Sequence, residues 1–283
     1  MFKWYGLIGI LLIALAELNF IFKIEPFASW YFPIIWFGYI LTLDAIIFQL
    51  RYNSLISNRF YKFLGIVIIS ALFWWIFEFV NLSIQNWSYS GLENLSQSIG
   101  GGKTLKNLFG TLSFAMVLPA LFETVELIRS IKLFEKKKLK RSHKITKTFL
   151  YAMMAAGFLC FLVPLILPAF TFPLVWLSFF LILDPINYLH RQPSIIKHLK
   201  DKKLAIPLSL LLAGIILGFF WEFWNFWAVP KWTYTIPYVG FWKIFEMPLL
   251  GYLGYFPFAW ELYAMYFFVR SLFTNKPETL LVK

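Results

Sequence analysis

Phe219-Phe220-Trp221-Glu222-Phe223-Trp224-Asn225-Phe226-Trp227 is apolar and aromatic throughout, apart from one carboxyl and one amide three residues apart. On a helix that spacing places Glu222 and Asn225 on one face. Upstream the run carries no charge back to Leu204, which makes it long enough to cross a bilayer core of about 30 Å as a helix. Downstream, Trp232-Thr233-Tyr234 follows it. The same series stands earlier in the chain: Phe77-Glu78-Phe79-Val80-Asn81, then Trp87-Ser88-Tyr89. An apolar helix with a repeated acid is the unit from which the chain is built.

The duplication extends in both directions. Phe32-Pro33, Trp36, Leu43-Asp44, Arg51 and Ser54 return, 140 residues later, as Phe172-Pro173, Trp176, Leu183-Asp184, Arg191 and Ser194. Leu118-Pro119-Ala120-Leu121-Phe122-Glu123 is echoed by Phe256-Pro257-Phe258-Ala259-Trp260-Glu261. Three acids are thus duplicated, six in all, inside apolar segments, where each costs about 2.5–3.5 kcal/mol to insert. Such a pattern points to work at a site between the halves.

Composition sets the solvent. The chain has 283 residues, 60% of them hydrophobic and 14% charged, with mean hydropathy +0.70. A soluble domain of that length cannot hide so much apolar surface. Eight apolar runs stand out, near 4–22, 30–50, 62–84, 105–129, 148–169, 172–189, 204–228 and 243–270. The expected fold is therefore all-α: a polytopic membrane protein of eight transmembrane helices. Residues 1–130 form a first four-helix repeat, 131–147 a basic cytoplasmic linker and 148–283 a second repeat. An even number of helices per repeat makes the repeats parallel, related by a pseudo-two-fold along the membrane normal.

The net charge of +12 is distributed by side rather than gathered on a nucleic-acid surface. With alternate loops on opposite sides, 21 of the 26 Lys and Arg fall on one of them, which places both termini in the cytoplasm. Lys136-Lys137-Lys138-Leu139-Lys140-Arg141 reads as a topology anchor beside anionic lipid, so no nucleic-acid partner is expected. The first apolar run lacks a small-residue cleavage site and counts as a helix, not a signal peptide.

Several chemistries drop out. Cys160 is the single cysteine, so no disulfide or cysteine metal site is available. His143, His190 and His198 all fall in expected cytoplasmic loops, leaving no buried metal site and no membrane histidine for a Ser-His-acid triad. Gly100-Gly101-Gly102-Lys103-Thr104 lacks the first glycine of a phosphate loop, which Gln97 replaces, and has no preceding strand. No dinucleotide fingerprint is present. No cofactor is expected.

Acids among aromatics remain. Phe, Trp and Tyr make up 22% of the chain and crowd both Glu78 and Glu222. Removing a carboxyl from water disfavours its ionised form and leaves a proton to donate. Aromatic faces attract cations within about 6 Å. Together these suit protonation of an alkene and shelter of the resulting carbocation. Glu123 and Glu261 each follow a proline by four residues, where the helix should bend and open room. Asp44 and Asp184, near the cytoplasmic helix ends, read as structural. The polar 85–104 connection is expected to be wetter than its aromatic counterpart at 229–242, so Glu222 should be the drier of the two acids.

The motif Glu78-x8-Trp87-x-Tyr89 and its echo from Glu222 resemble the small membrane lycopene cyclases of the heterodimeric or fused type. That family has two related helical halves, each with an acid, a following Trp-x-Tyr and a later Pro-x-Glu-Glu-like motif. Two departures stand in this sequence: the first acid is Glu where the family usually has Asp, and no second acid adjoins Glu123 or Glu261. The resemblance implies an isoprenoid or other polyene substrate drawn from the membrane.

The leading reading is thus a membrane-embedded isoprenoid cyclase. Glu222 or Glu78 would donate the proton, Glu261 or Glu123 would stabilise the cation or receive a proton, and Asn81 and Asn225 would orient the acids. Trp87, Tyr89, Trp221, Trp224, Trp232 and Tyr234 would line the substrate. The competing class is a lipid or small-solute transporter whose duplicated acids bind a proton or cation. A purely structural subunit would tolerate simultaneous Glu78→Gln and Glu222→Gln changes.

Overall fold

The computed structural model describes residues 2–93, 102–142 and 144–274, and most of them are helical. Ser98, Gly100, Gly101 and His143, on which parts of the sequence reading fell, lie outside the described residues. The long helices are α1 (Trp4–Phe22), α2 (Tyr31–Arg51), α3 (Phe60–Ile84), α4 (Gly102–Ala115), α5 (Val117–Ser130), α6 (Lys147–Ile166), α7 (Val175–Leu189), α8 (Ala205–Trp227) and α9 (Tyr255–Ser271). Taking α4 with α5, and α7 with the turns that lead into it from Pro168, seven stretches are long and apolar enough to cross a membrane. α9 is 17 residues long.

The eighth expected span, 243–270, is corrected. Its first half is a small ladder of β3 (Lys243–Ile244) and β4 (Met247–Pro248), followed by a 3-10 helix from Leu249 to Gly254. Pro257 is the reason. A proline ring inside a helix strikes the carbonyl four residues back, so it sits comfortably only in the first turn. The helix accordingly starts at Tyr255, two residues before it.

Pro119 acts in the same way and splits the expected 105–129 helix at Met116. There Ser70, from α3, enters the break. Its Oγ donates to the Phe114 carbonyl at 2.6 Å and accepts from the Leu118 N–H at 2.9 Å. A hydroxyl inserted into the backbone ladder satisfies groups that lipid could not.

An all-α fold also needs amending. β1 (Trp87–Ser90) and β2 (Lys231–Tyr234) pair antiparallel across the two halves of the chain. The register sets Trp87 opposite Tyr234, Ser88 opposite Thr233 and Tyr89 opposite Trp232. The two copies of the Trp-x-Tyr motif thus pair with each other, and their alternate positions share one face of the ribbon.

Packing follows small residues and rings. α1 lies tightly on α2, where a Cβ on Gly9 would come 2.7 Å from the Gly38 carbonyl oxygen and one on Gly38 would come 2.8 Å from that of Gly9. Close backbone approach of this kind holds membrane helices together in the absence of a hydrophobic drive. α5 packs on α2 and α3 and also on α8, while α9 packs on α7 and α8. Trp36, Phe77, Phe122, Tyr263 and Phe267 are buried in the resulting core. Leu7, Leu11, Leu72, Leu159 and Ile166 are exposed, as lipid contact requires.

Both structural aspartates stitch a helix end to the turn that follows it. Asp184 accepts the N–H groups of Ile195 and Ile196 at 2.7 and 2.9 Å. Asp44 accepts the Ile56 N–H and the Ser54 hydroxyl, each at 2.8 Å, together with the Tyr5 phenol. Ser54 and Ser194 then cap the short helices Leu55–Asn58 and Ile195–Lys200. Arg51 donates to the Arg129 carbonyl at 3.0 Å.

Candidate functional site

A cavity of about 530 Å³ lies where the two halves meet, roofed by the β1–β2 ribbon. That volume suits a small ligand or one end of a longer one. Its walls are mainly aromatic: Trp74, Trp87 and Trp176 are joined by Trp221, Trp232 and Phe258. Glu78 is the carboxylate on that wall, among tyrosines 89, 234 and 255.

Glu78 projects from the last turns of α3, half-buried. Its Oε1 accepts the indole N–H groups of Trp74 and Trp87, each at 3.1 Å, and the phenol of Tyr89. Three donors on one oxygen hold the carboxyl in a single orientation. Their indoles can give an N–H but cannot accept one.

Glu222, in α8, is wholly buried and stands behind the wall. Its Oε1 accepts the hydroxyls of Tyr234 and Tyr255, both at 2.7 Å, whereas Oε2 has no partner among the described residues. Tyr234 also accepts the Trp232 indole N–H at 2.7 Å. Burial first, and the Glu222 carboxylate second, push the Tyr234 phenol well above its ordinary range, so it remains a donor.

The amides serve the ribbon. Asn81 Nδ2 donates to the Trp87 carbonyl at 2.8 Å and its Oδ1 accepts the N–H groups of Asn86 and Trp87. Asn225 repeats this on Trp232, at 2.8 Å to the carbonyl and 2.9 Å from the N–H. These hydrogen bonds of both amides go to the backbone of the ribbon and of the residue before it, and not to the acids. They fix the strands, and the strand rings hold the acids.

Other expected site residues fall elsewhere. Trp224 is directed away from the cavity and donates its indole N–H to Glu17 of α1 at 3.0 Å. Glu123 and Glu261 are fully buried but are not part of the cavity wall. Glu261 accepts the Phe179 N–H at 2.9 Å, which fastens α9 to α7. Neither oxygen of Glu123 has a donor among the described residues. Arg129, at the end of the same helix, lies 3.6 Å from Glu135.

Sequence reading missed Tyr255, although the signal was present. Aligning Pro119 with Pro257 sets Val117 against Tyr255, and aligning Glu78 with Glu222 sets Trp74 against Gly218. A Cβ on Gly218 would stand 2.4 Å from the Tyr255 ring, so the glycine makes room for the phenol. One half thus supplies the acid's extra donor as an indole from the acid's own helix. The other supplies it as a phenol from the helix that follows.

No protein-family model, curated protein or solved structure matches the chain.

Proposed function

We propose that the chain is an integral membrane enzyme that protonates an alkene in an isoprenoid or other polyene and shelters the carbocation while a ring closes. In this reading eight helices cross the membrane as two parallel four-helix repeats, with both termini cytoplasmic. α9 reaches across with help from the turns before it. The observation that carries the reading is the aromatic cavity between the halves, with one fixed carboxylate in its wall and a second, wholly buried one behind two tyrosines.

The chemistry follows from that arrangement. The rings exclude water, which would otherwise quench a carbocation, and their faces attract positive charge. Glu78 places an oxygen beside the cavity and stabilises charge as it develops. Glu222 supplies the proton. Glu123 and Glu261, outside the wall, act on the packing of α5 and α9 rather than on substrate. A cyclisation of this kind redistributes bonds without changing mass and needs no redox partner.

The test is lipid extraction and chromatography with mass spectrometry from polyene-producing cells, with and without the chain. The expected result is a new species of unchanged mass and altered retention, absent with Glu222→Gln. An unchanged lipid profile, combined with acid-dependent proton or cation flux in reconstituted vesicles, would replace the enzyme with the transporter.

A further inference from the structure

The two carboxylates hold their protons under different rules. Glu78 accepts from two indole N–H groups, which donate but have no lone pair with which to pass a proton along, and from a single phenol, Tyr89 of the ribbon. Glu222 is held only by phenols, and a phenol can accept a proton on one side while releasing one on the other. The two phenols also differ. Tyr234 is engaged twice, accepting from Trp232 and donating to Glu222. Both line the cavity, but among the described residues the Tyr255 hydroxyl makes no hydrogen bond beyond its donation to Glu222, which leaves its oxygen open toward the cavity.

We propose that Tyr255 is a catalytic residue that carries the proton from buried Glu222 to the cavity. This rests on the carbocation reading above for its substrate, but the proton path itself does not need a substrate to be seen. In the step, the Tyr255 O–H, which at rest donates to Glu222 Oε1, turns to the cavity, and its bond breaks as the alkene's π electrons form a new C–H bond. The phenol oxygen takes the Glu222 carboxyl proton across the 2.7 Å contact, leaving a carboxylate. After ring closure a carbon beside the cation loses a proton to Glu78, and that C–H pair becomes the new double bond. Glu78, half-exposed, returns its proton to water, and Glu222 is recharged through Tyr255 once the product leaves. Atoms and charge balance over the cycle.

Geometry explains why the residue stands where it does. α9 begins at Tyr255 because Pro257 forbids an earlier start, so the phenol sits on the first turn facing α8. Gly218 gives that ring its place, and Gly214 lets the Tyr255 carbonyl approach, since a Cβ there would come within 2.5 Å of it. The first half has Val117 and Trp74 instead, so no phenol from the following helix reaches Glu78, whose one phenol, Tyr89, comes from the ribbon as Tyr234 does.

The experiment is infrared spectroscopy of the purified full chain in lipid vesicles, moved from H2O to D2O. A protonated-carboxyl band that disappears in Glu222→Gln identifies the group. The band should shift in D2O, with Tyr255→Phe slowing that shift by about a hundredfold, the lower end of what a positioned proton carrier contributes. Tyr234→Phe should slow it much less. The swap Gly218→Trp with Tyr255→Val rebuilds the first half's arrangement, keeping a donor on Glu222 without a relay, and should be as slow as Tyr255→Phe. Fast exchange in the swap, or no Glu222 band at all, would overturn the proposal. Slow exchange in these variants together with an unchanged cellular lipid profile would instead leave the relay standing and remove the cyclase reading.

Discussion

Glu222 and Glu78 occupy matching positions and unequal surroundings. Glu222 is fully buried behind Tyr234 and Tyr255, and Glu78 is half-buried in the cavity wall. Loss of a positioned general acid commonly lowers turnover by about 10²–10⁴. Glu222→Gln should abolish product formation on that scale, whereas Glu78→Gln, which removes charge stabilisation but leaves the acid, should only weaken it. Product yield per folded protein, measured by mass spectrometry, decides between them, and a greater loss at Glu78 would reverse the assignment of acid and stabiliser. Asn225 makes a different kind of contribution. It satisfies both the N–H and the carbonyl of Trp232, and leaving buried polar groups unpaired costs about 1–3 kcal/mol each. Asn225→Ala should lower the unfolding temperature in detergent and also loosen Tyr234, visible as increased accessibility of the ribbon to protease.

At the level of elements, the turns after α2 and α7 are held by side chains rather than by long helices. The segment Ile195–Lys200 hangs on Asp184, whose carboxylate takes two of its backbone N–H groups. Asp184→Ala should free that turn and open the neighbouring 191–203 stretch to trypsin while leaving the β1–β2 ribbon intact. His198 lies in the same segment, with Nε2 3.1 Å from the Tyr263 hydroxyl. Burial is the main cause that pushes its imidazole down to about 4 from 6.5. A base depressed in the folded state is neutral there, so its contribution to stability is complete above 6.5 and is lost as pH falls from 6.5 toward 4. The unfolding temperature should drop across that window, and His198→Gln should flatten the drop. An identical slope in the variant would assign the acid sensitivity to another group.

For the whole molecule, the halves meet through the ribbon, the α5–α8 contact and the shared cavity, while the chain between them is a basic surface linker. Part of that linker is tied down, since Leu139 donates its N–H to the Lys202 carbonyl and Leu204 donates to that of Lys137. A break between Arg141 and Thr146 avoids these bonds. The two fragments, expressed together, should copurify and retain the cavity's tryptophan fluorescence. Recovery of each fragment alone would show that the ribbon and core do not bind them. Orientation follows from the charge bias of the loops. A reporter at Lys138 should read cytoplasmic and one at the exposed Tyr238 external, and the reverse would put both acids near the inner face.

The sequence by itself determined the long apolar segments, the charge bias between them and the duplicated acids. Each of these rests on local terms: hydropathy over about 20 residues, charge bias between loops, and residue types at fixed spacing. It also placed Asp44 and Asp184 as structural, because an acid near a helix end finds backbone donors close by in the chain. The tertiary structure alone decided what each acid faces. Glu78 reaches the cavity, Glu222 stands one tyrosine behind it, and Glu123 and Glu261 turn elsewhere, although the sequence reading assigned all four a part in the chemistry. The pairing of Trp87 with Tyr234 joins residues 147 positions apart, and the donors from Tyr255 and Trp74 depend on which helix lies beside each acid. Such contacts arise from helix packing and from the prolines that set where α5 and α9 begin. Spacing along the chain fixes which side chains share a face, while packing alone fixes what that face meets.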